Sequence, residues 1–173
     1  MTVTPLTTNQ DLDPTRLRQA FGVFPTGVVA VAAEVDGRLT GLAASSFTSV
    51  SLEPALVSFS VANTSSTWPV LRRAGHLGLS VLADHHGDAC TQLAGPADHR
   101  FDGLDVHTTD DGAVLLDGAA ATFDCTIHRE VEAGDHTLVL LRLHAVEDLG
   151  GVSPLVFHRS GFSRIQADLA SAV

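Results

Sequence analysis

The sequence contains no lysine, so arginine provides all 10 basic side chains against 20 aspartate and glutamate residues. The formal net charge is therefore −10 at pH 7. A surface that binds nucleic acid needs clustered basic residues, so this composition excludes a nucleic-acid partner. It also restricts any anion site to arginine, hydroxyl groups, backbone N–H groups or the start of a helix.

Cysteine is also scarce, with only Cys90 and Cys125 in the chain. Two cysteines this far apart do not form a disulfide framework or a thiolate metal site, so we expect reduced, partly buried thiols. No apolar run approaches the roughly 20 residues of a membrane-spanning helix. The first 13 residues lack a basic start followed by an apolar stretch. We therefore expect no secretory signal, no membrane partner and a cytoplasmic location.

Several catalytic motifs are missing. No turn has the G-x-G-x-x-G spacing of a Rossmann dinucleotide site. Neither the G-x-S-x-G sequence of serine hydrolases nor the H-E-x-x-H sequence of zinc enzymes occurs. The nine histidines include the adjacent pair His85 and His86, whose side chains would point about 100° apart on a helix. We therefore expect no bound metal.

Hydrophobic patterning predicts a chain rich in strands. Asp13 and Pro14 mark the start of a helix over 16–21. Further helices are predicted at 68–74 and 84–93, the latter capped by Asp84, and 95–103 is predicted as a loop. Strands are predicted at 27–35, 38–44, 47–51, 55–61, 76–82, 120–132, 136–146 and 155–158. The turns at 36–37 and 133–135 predict two β-hairpins.

This order of elements has no alternating βαβ rhythm. It favours a mainly β fold, an antiparallel β-barrel with α-helical caps. A chain of 173 residues fits one domain with a single core. We expect that domain to span 13–166, with a flexible N-terminal segment 1–12 and a C-terminal tail 167–173.

Small and hydroxyl-bearing residues gather at three predicted strand ends, in 24–27, 41–47 and 60–68. Small side chains let a flat ring lie against the backbone, and hydroxyl and N–H groups bind its polar edge. The hydroxyl-rich helix start at 65–67 favours a phosphate, by about 0.3–1 kcal/mol at an exposed site. The same hydroxyls are also ordinary caps and strand residues, and the residues alone leave both interpretations open.

The tripeptide Gly134-Asp135-His136 also has two interpretations. Glycine and aspartate are common turn residues, so the segment can be a hairpin turn with no further role. Alternatively, it places a titratable imidazole at the mouth of the barrel, where it can donate a hydrogen bond or carry a proton. Nothing in the local sequence decides between them.

Three segments together resemble the short-chain flavin reductases, which are the reductase components of two-component flavin-dependent monooxygenases. They read Phe-Pro-Thr-Gly-Val at 24–28, Ala-Ala-Ser-Ser-Phe-Thr-Ser-Val-Ser-Leu-Glu-Pro at 43–54 and Gly-Asp-His at 134–136. The match runs from about 17 to 165 with the family's order and spacing. It implies an antiparallel FMN-binding split β-barrel that forms a homodimer, with flavin held near the dimer interface.

The resemblance also implies which residues form the site. The flavin ring and its ribityl chain would contact Thr26, Ala43, Ala44, Ser45 and Ser46, with Ser60, Val61 and Ala62 at the ring edge. The phosphate would lie on Ser66 and Thr67, with Gln92, Leu93 and Arg100 completing the site. His136 would be the catalytic residue facing the nicotinamide, and Phe157, His158, Arg159 and Ser160 would contact the nicotinamide nucleotide. One departure is His99, which stands before Arg100 where the family has an acidic residue.

The function implied is an NAD(P)H:flavin oxidoreductase. A hydride would pass from NADH or NADPH to FMN or FAD, and the reduced flavin would go to a separate flavin-dependent monooxygenase. Two alternatives stay open. One is a non-catalytic flavin-binding barrel, and the other is an enzyme of the same fold that holds its flavin tightly and acts on another substrate.

Overall fold

The computed structural model describes residues 12–165, which form a mainly antiparallel β fold. The helices are α1 (Pro14–Phe21), α2 (Trp68–Leu71) and α3 (Gly87–Leu93), with a 3-10 helix at Ala97–His99. The strands are β1 (Thr26–Gly27), β2 (Val29–Val35), β3 (Arg38–Ala44), β4 (Thr48–Leu52), β5 (Ala55–Ala62), β6 (Leu77–Val81), β7 (Val106–Thr108), β8 (Val114–Leu116), β9 (Ala121–Ala133), β10 (His136–Asp148), β11 (Leu155–His158) and β12 (Gly161–Arg164). The predicted tail, and all but residue 12 of the predicted N-terminal segment, lie outside the described residues.

Seven strands form the main sheet in the order β3-β2-β6-β9-β10-β5-β4. The sheet curls without closing, since its edge strands β3 and β4 share no backbone pairing within 12–165. The chain segment that connects β3 to β4 contains Ser46, whose side chain bonds to the backbone of β5. The Ser60 N–H donates to Ser46 Oγ at 2.8 Å, and the Ser46 hydroxyl donates to the Ser60 carbonyl at 3.1 Å. The predicted antiparallel barrel is therefore confirmed, in a split form.

Both predicted hairpins are confirmed. Val35 pairs with Arg38 across Asp36 and Gly37, whose φ angles are 53° and 73°. Two consecutive left-handed residues are what a tight two-residue hairpin turn requires, and Asp-Gly is a favoured pair for it. The second hairpin joins β9 to β10 through the pair Ala133 and His136.

Two apolar clusters explain the continuous hydrophobic run of β2. Val29 and Val31 face the larger cluster with Phe59, while Ala30 faces a second cluster with Leu93. All five side chains are at most 1% exposed. Burying a large apolar side chain contributes about 1.5–3 kcal/mol, so a strand buried on both faces stabilises both layers.

Smaller sheets complete the fold. β1, β11 and β12 form a three-stranded sheet, and β7 pairs with β8. The β7–β8 hairpin packs directly on the outer face of β6. The contact is so close that a Cβ on Gly78 would collide with the backbone of Val114. Neither β7, β8 nor β12 is predicted from the sequence. The first two strands have three residues each, too few for alternation to be recognised.

Three predicted element boundaries are wrong. Helix α3 begins at Gly87 and not at 84, with His86 and not Asp84 at its N-cap position, because His86 Nδ1 instead accepts from the N–H of Ala83 in a preceding turn. Helix α2 ends at Leu71, and the predicted loop 95–103 contains the 3-10 helix. The predicted cap at Asp13 is confirmed, since its carboxylate accepts from two N–H groups of the first turn.

Both cysteines are buried and unpaired. Burial raises the pKa of the Cys90 thiol. Burial and the neighbouring Asp124 carboxylate raise the pKa of Cys125 to about 12. Within 12–165, no helix has the length and apolar character needed to cross a membrane.

Candidate flavin site

A cavity of about 410 Å³ lies where the end of β3 faces β5, at the split of the barrel. Ten of the residues predicted for the site line it, namely Ala43, Ala44, Ser45, Ser46, Ser60, Val61, Ala62, Leu93, Arg100 and His136. Residues from four separate stretches of the chain therefore meet at one place. Ser65 and Ala94 also line this cavity, although the resemblance does not assign them to the site.

The walls of this cavity are made of small side chains. Ala43 and Ala44 come from the last two residues of β3, and Ala62 is the last residue of β5. Side chains this short leave the backbone accessible, so a flat ring can lie against it. Ser46 lines the cavity, and its hydroxyl is engaged with the backbone of Ser60.

Arg100 provides the cavity's positive charge. Its Nε donates to the Gly95 carbonyl at 2.9 Å, and its Nη1 donates to the Gly41 carbonyl and to Thr67 Oγ1, both at 2.7 Å. All three partners are neutral, and no carboxylate within residues 12–165 forms an ion pair with this guanidinium. In a chain of net charge −10, an arginine without a carboxylate partner favours an anionic ligand.

A second cavity of about 690 Å³ adjoins the first and shares Arg100 with it. Ser66 and Thr67 line this cavity together with Arg38. The hydroxyls at the helix start 65–67 have different roles. Ser65 Oγ accepts from the N–H of Trp68, while Thr67 makes no capping bond with its side chain. The cap interpretation therefore holds for Ser65. The Thr67 hydroxyl accepts from Arg100 Nη1 and keeps its hydrogen for a ligand, and Ser66 lines the cavity beside it.

Gln92 supports the site from behind. Its side-chain amide donates to the carbonyls of His99, Arg100 and Asp102, at 3.0, 3.3 and 2.9 Å. These bonds fix the loop that carries Arg100, so Gln92 positions the arginine. His99, the departure from the family pattern, pairs with Asp102 at 2.8 Å.

Gly41 belongs to the predicted small-residue segment 41–47, but sequence reasoning did not assign it a role in the site. A Cβ at this position would lie 2.6 Å from the ring of Phe101 and 3.0 Å from both Ala32 Cβ and the Val31 carbonyl oxygen. Glycine is required because the Arg100 loop docks directly on the backbone of β3. The signal that could have found it is a glycine inside an otherwise regular strand.

The segment predicted to contact the nicotinamide nucleotide is divided between two places. Phe157 lines a third cavity, of about 300 Å³, which shares Ala43, Ala44 and Ser45 with the first. Arg159 and Ser160 form the β11–β12 turn with φ angles of 49° and 63°, and they line a separate cavity of about 490 Å³ with Arg18. His158 lies in β11, paired with Gly161, and lines none of these cavities.

Thr26 lies in β1, paired with Phe157. Its hydroxyl oxygen is buried and has no hydrogen-bond partner within the described residues. A buried polar atom without a partner costs about 1–3 kcal/mol, so this hydroxyl is available to a bound molecule. Thr26 lines none of the four cavities, so the small-residue wall and the arginine are the features that fit a flavin ring and phosphate.

His136 is the first residue of β10, opposite Ala62 of β5. Its Nδ1 lies 2.8 Å from Asp135 Oδ1, and this hydrogen bond, with the charge of His136, lowers the pKa of Asp135. An ionised carboxylate only accepts, so Nδ1 carries a hydrogen and Nε2 is left free to interact with a ligand. The turn and the imidazole interpretations of 134–136 are therefore compatible with each other.

An open antiparallel barrel with this cavity at its split has the architecture of a flavin-binding split barrel. The family model described as "Flavin reductase like domain" matches residues 21–166. The chain belongs to this flavin reductase family.

Similar proteins agree with this assignment over nearly their whole lengths. A "Flavin reductase" of Pseudomonas putida is 38% identical over 157 residues, which cover 90% of this chain and 92% of that protein. The reductase subunit HsaB of a flavin-dependent monooxygenase from Rhodococcus jostii is 32% identical, covering 91% of this chain and 80% of that protein. The solved structure of a Streptomyces globisporus NADH:FAD oxidoreductase, in complex with NAD and FAD fragments, superposes with a TM-score of 0.88 at 32% identity. That match covers 96% of this chain and 100% of the other.

Proposed function

We propose that this protein is an NAD(P)H-dependent flavin reductase that transfers a hydride to FMN or FAD and supplies the reduced flavin to a separate flavin-dependent monooxygenase. The cavity at the barrel split carries this proposal, because it combines a wall of small residues, an arginine without a carboxylate partner and a histidine. The names of the similar proteins support both the reductase activity and the partner.

The ring would lie along Ala43, Ala44 and Ser45, with Val61 and Ala62 at its edge. A bound flavin supplies the ring that accepts the hydride, and the protein supplies binding and orientation. Arg100 neutralises the flavin phosphate, assisted by the hydroxyls of Ser66 and Thr67 in the adjoining cavity. Because that cavity extends beyond Arg100, it has room for a group larger than a single phosphate.

His136 would orient the nicotinamide or assist a proton. Asp135 holds the imidazole by one edge, through Nδ1, which leaves Nε2 as the atom that interacts with the nicotinamide nucleotide. The nicotinamide nucleotide would also contact Phe157, and Arg159 and Ser160 would contact its more distant part.

A homodimer is part of the proposal. Edge strand β4 exposes Val50 and Leu52, which are 48% and 95% accessible. An edge strand with exposed apolar side chains favours pairing with a second chain. The two unpaired cysteines support a reducing compartment, and we place the protein in the cytoplasm.

The decisive experiment measures NADH and NADPH oxidation with FMN, FAD and riboflavin supplied separately. We expect oxidation of at least one nucleotide to depend on added flavin. A flavin that binds but is not reduced would favour a non-catalytic flavin-binding barrel. Turnover by a yellow purified protein without added flavin would favour an enzyme with tightly bound flavin acting on another substrate.

A further inference from the structure

Three titratable side chains converge on the outer face of the main sheet. His76 immediately precedes β6, Asp124 lies in β9, and Asp111 lies in the turn between β7 and β8. One ligand-type atom of each residue lies within 4.8 Å of those of the other two. His76 Nδ1 lies 2.5 Å from Asp124 Oδ1. Phe123 and Cys125 pack in the core, so the Asp124 side chain points to the opposite face.

The fold brings these residues together from distant parts of the chain. β6 and β9 are neighbours, with Gly78 opposite Asp124, which places His76 next to that carboxylate. The β7–β8 hairpin crosses the same face, and its turn is fixed because the Glu34 N–H donates to the Gly112 carbonyl at 2.9 Å. Asp111, next to Gly112, is thereby held over the sheet.

A β-bulge adds a second imidazole to this group. The β9–β10 register shifts between Leu143 and Ala145, so His144 is the extra residue. Its ring centroid lies 5.3 Å from that of His76, and its Nε2 lies 2.8 Å from Thr126 Oγ1. Bulges re-aim a side chain relative to a regular strand. A second imidazole therefore lies beside the group formed by His76, Asp111 and Asp124.

We propose that His76, Asp111 and Asp124 bind a divalent transition-metal ion such as Zn²⁺, with His144 as a fourth donor. Imidazole nitrogen and carboxylate oxygen are zinc ligands at about 2.0–2.2 Å, which places the ligand atoms of a tetrahedral site about 3.3 Å apart. The ligand atoms of His76, Asp111 and Asp124 lie within 4.8 Å of one another, so small side-chain movements bring these three to that spacing. The two carboxylates balance the charge of the ion, and the ion ties the β7–β8 hairpin to the sheet. The proposal departs from the expectation of no metal, because ligands at 76, 111, 124 and 144 form no sequence motif.

This site is separate from the flavin cavity. His136 and His144 both lie in β10, and eight residues of strand span about 26 Å. No residue of the group lines the cavity that contains His136. Loading or removing the metal therefore leaves flavin binding and NADH oxidation unchanged.

The test titrates chelator-treated, full-length protein with Zn²⁺ by calorimetry and with Co²⁺ by visible absorption. We expect one equivalent per chain and the intense bands of four-coordinate Co²⁺. Asp111→Asn should raise the Zn²⁺ dissociation constant at least about tenfold. The matched control is Asp110→Asn, which makes the same charge change at the neighbouring exposed position outside the group. Zn²⁺ should raise the Tm of the wild type and of this control by more than that of Asp111→Asn.

Three results would overturn the proposal. One is the absence of saturable binding near one equivalent. Another is an equal weakening of Zn²⁺ binding by Asp110→Asn and Asp111→Asn, which would show that only the net charge of the turn matters. The third is undiminished binding in both Asp111→Asn and His144→Gln, which would place the ion on other surface histidines.

Discussion

Replacing Arg100 with glutamine tests how the protein binds the flavin phosphate. The guanidinium has only neutral partners within the described residues, so its charge is available to an anion. A hydrogen bond to a charged group contributes about 1.5–3 kcal/mol. Its loss should raise the dissociation constant for FMN about 10- to 150-fold. Riboflavin has no phosphate, so its dissociation constant should change less than about threefold.

Quenching of flavin fluorescence measures both dissociation constants. Arg142→Gln is the matched control, because this exposed β10 arginine makes the same charge change and lines none of the cavities. The Tm of each variant separates a loss of folding from a loss of binding, since Arg100 also ties its loop to β3. Equal weakening of FMN and riboflavin, or unchanged FMN binding, would refute the assignment of the phosphate to Arg100.

Four further predictions concern the site, the fold and the assembly. His136→Ala should lower NADH oxidation at least about tenfold with unchanged FMN affinity, and full turnover would contradict its role. Gly41→Ala should destabilise the protein by about 1–3 kcal/mol in urea unfolding, because the added methyl group overpacks against Phe101. Leu52→Arg should shift the protein from dimer to monomer in light scattering, and an unchanged mass would place the interface elsewhere. The pKa of Cys125 is raised in the folded protein, so the thiol loses its proton more readily in the unfolded chain. The contribution of the protonated thiol to the free energy of unfolding is therefore complete below pH 9.0 and is lost as pH rises toward about 12. Urea midpoints across this range should fall more steeply for the wild type than for Cys125→Ala.

The sequence was sufficient to predict the parts of the fold that depend on local chemistry. Asp36 and Gly37 adopt the left-handed conformations that their hairpin turn needs, and Asp13 caps α1 as its residue type predicts. The strand ends that carry Ala43–Ala44 and His136 meet as the family resemblance implies. Such features are encoded by a few neighbouring residues or by a long, specific motif.

Contacts between distant segments could not be predicted in the same way. The amide of Gln92 is a ligand group by residue type, yet three carbonyls of the Arg100 loop engage it. The proximity of Asp111 to His76 depends on a hairpin of two three-residue strands crossing the sheet. Strands this short carry no period, and their position is determined by packing on Gly78.

The Ser46 hydroxyl, which lies in the cavity wall between β3 and β4, has a consequence for product release. Two hydrogen bonds of about 0.5–1.5 kcal/mol each hold this hydroxyl to the backbone of Ser60, so the contact is weak compared with a strand ladder. The long β9–β10 ladder is not disturbed when it parts. An enzyme that hands on its reduced product must release it once per turnover, and a cavity wall held by a weak contact favours that release.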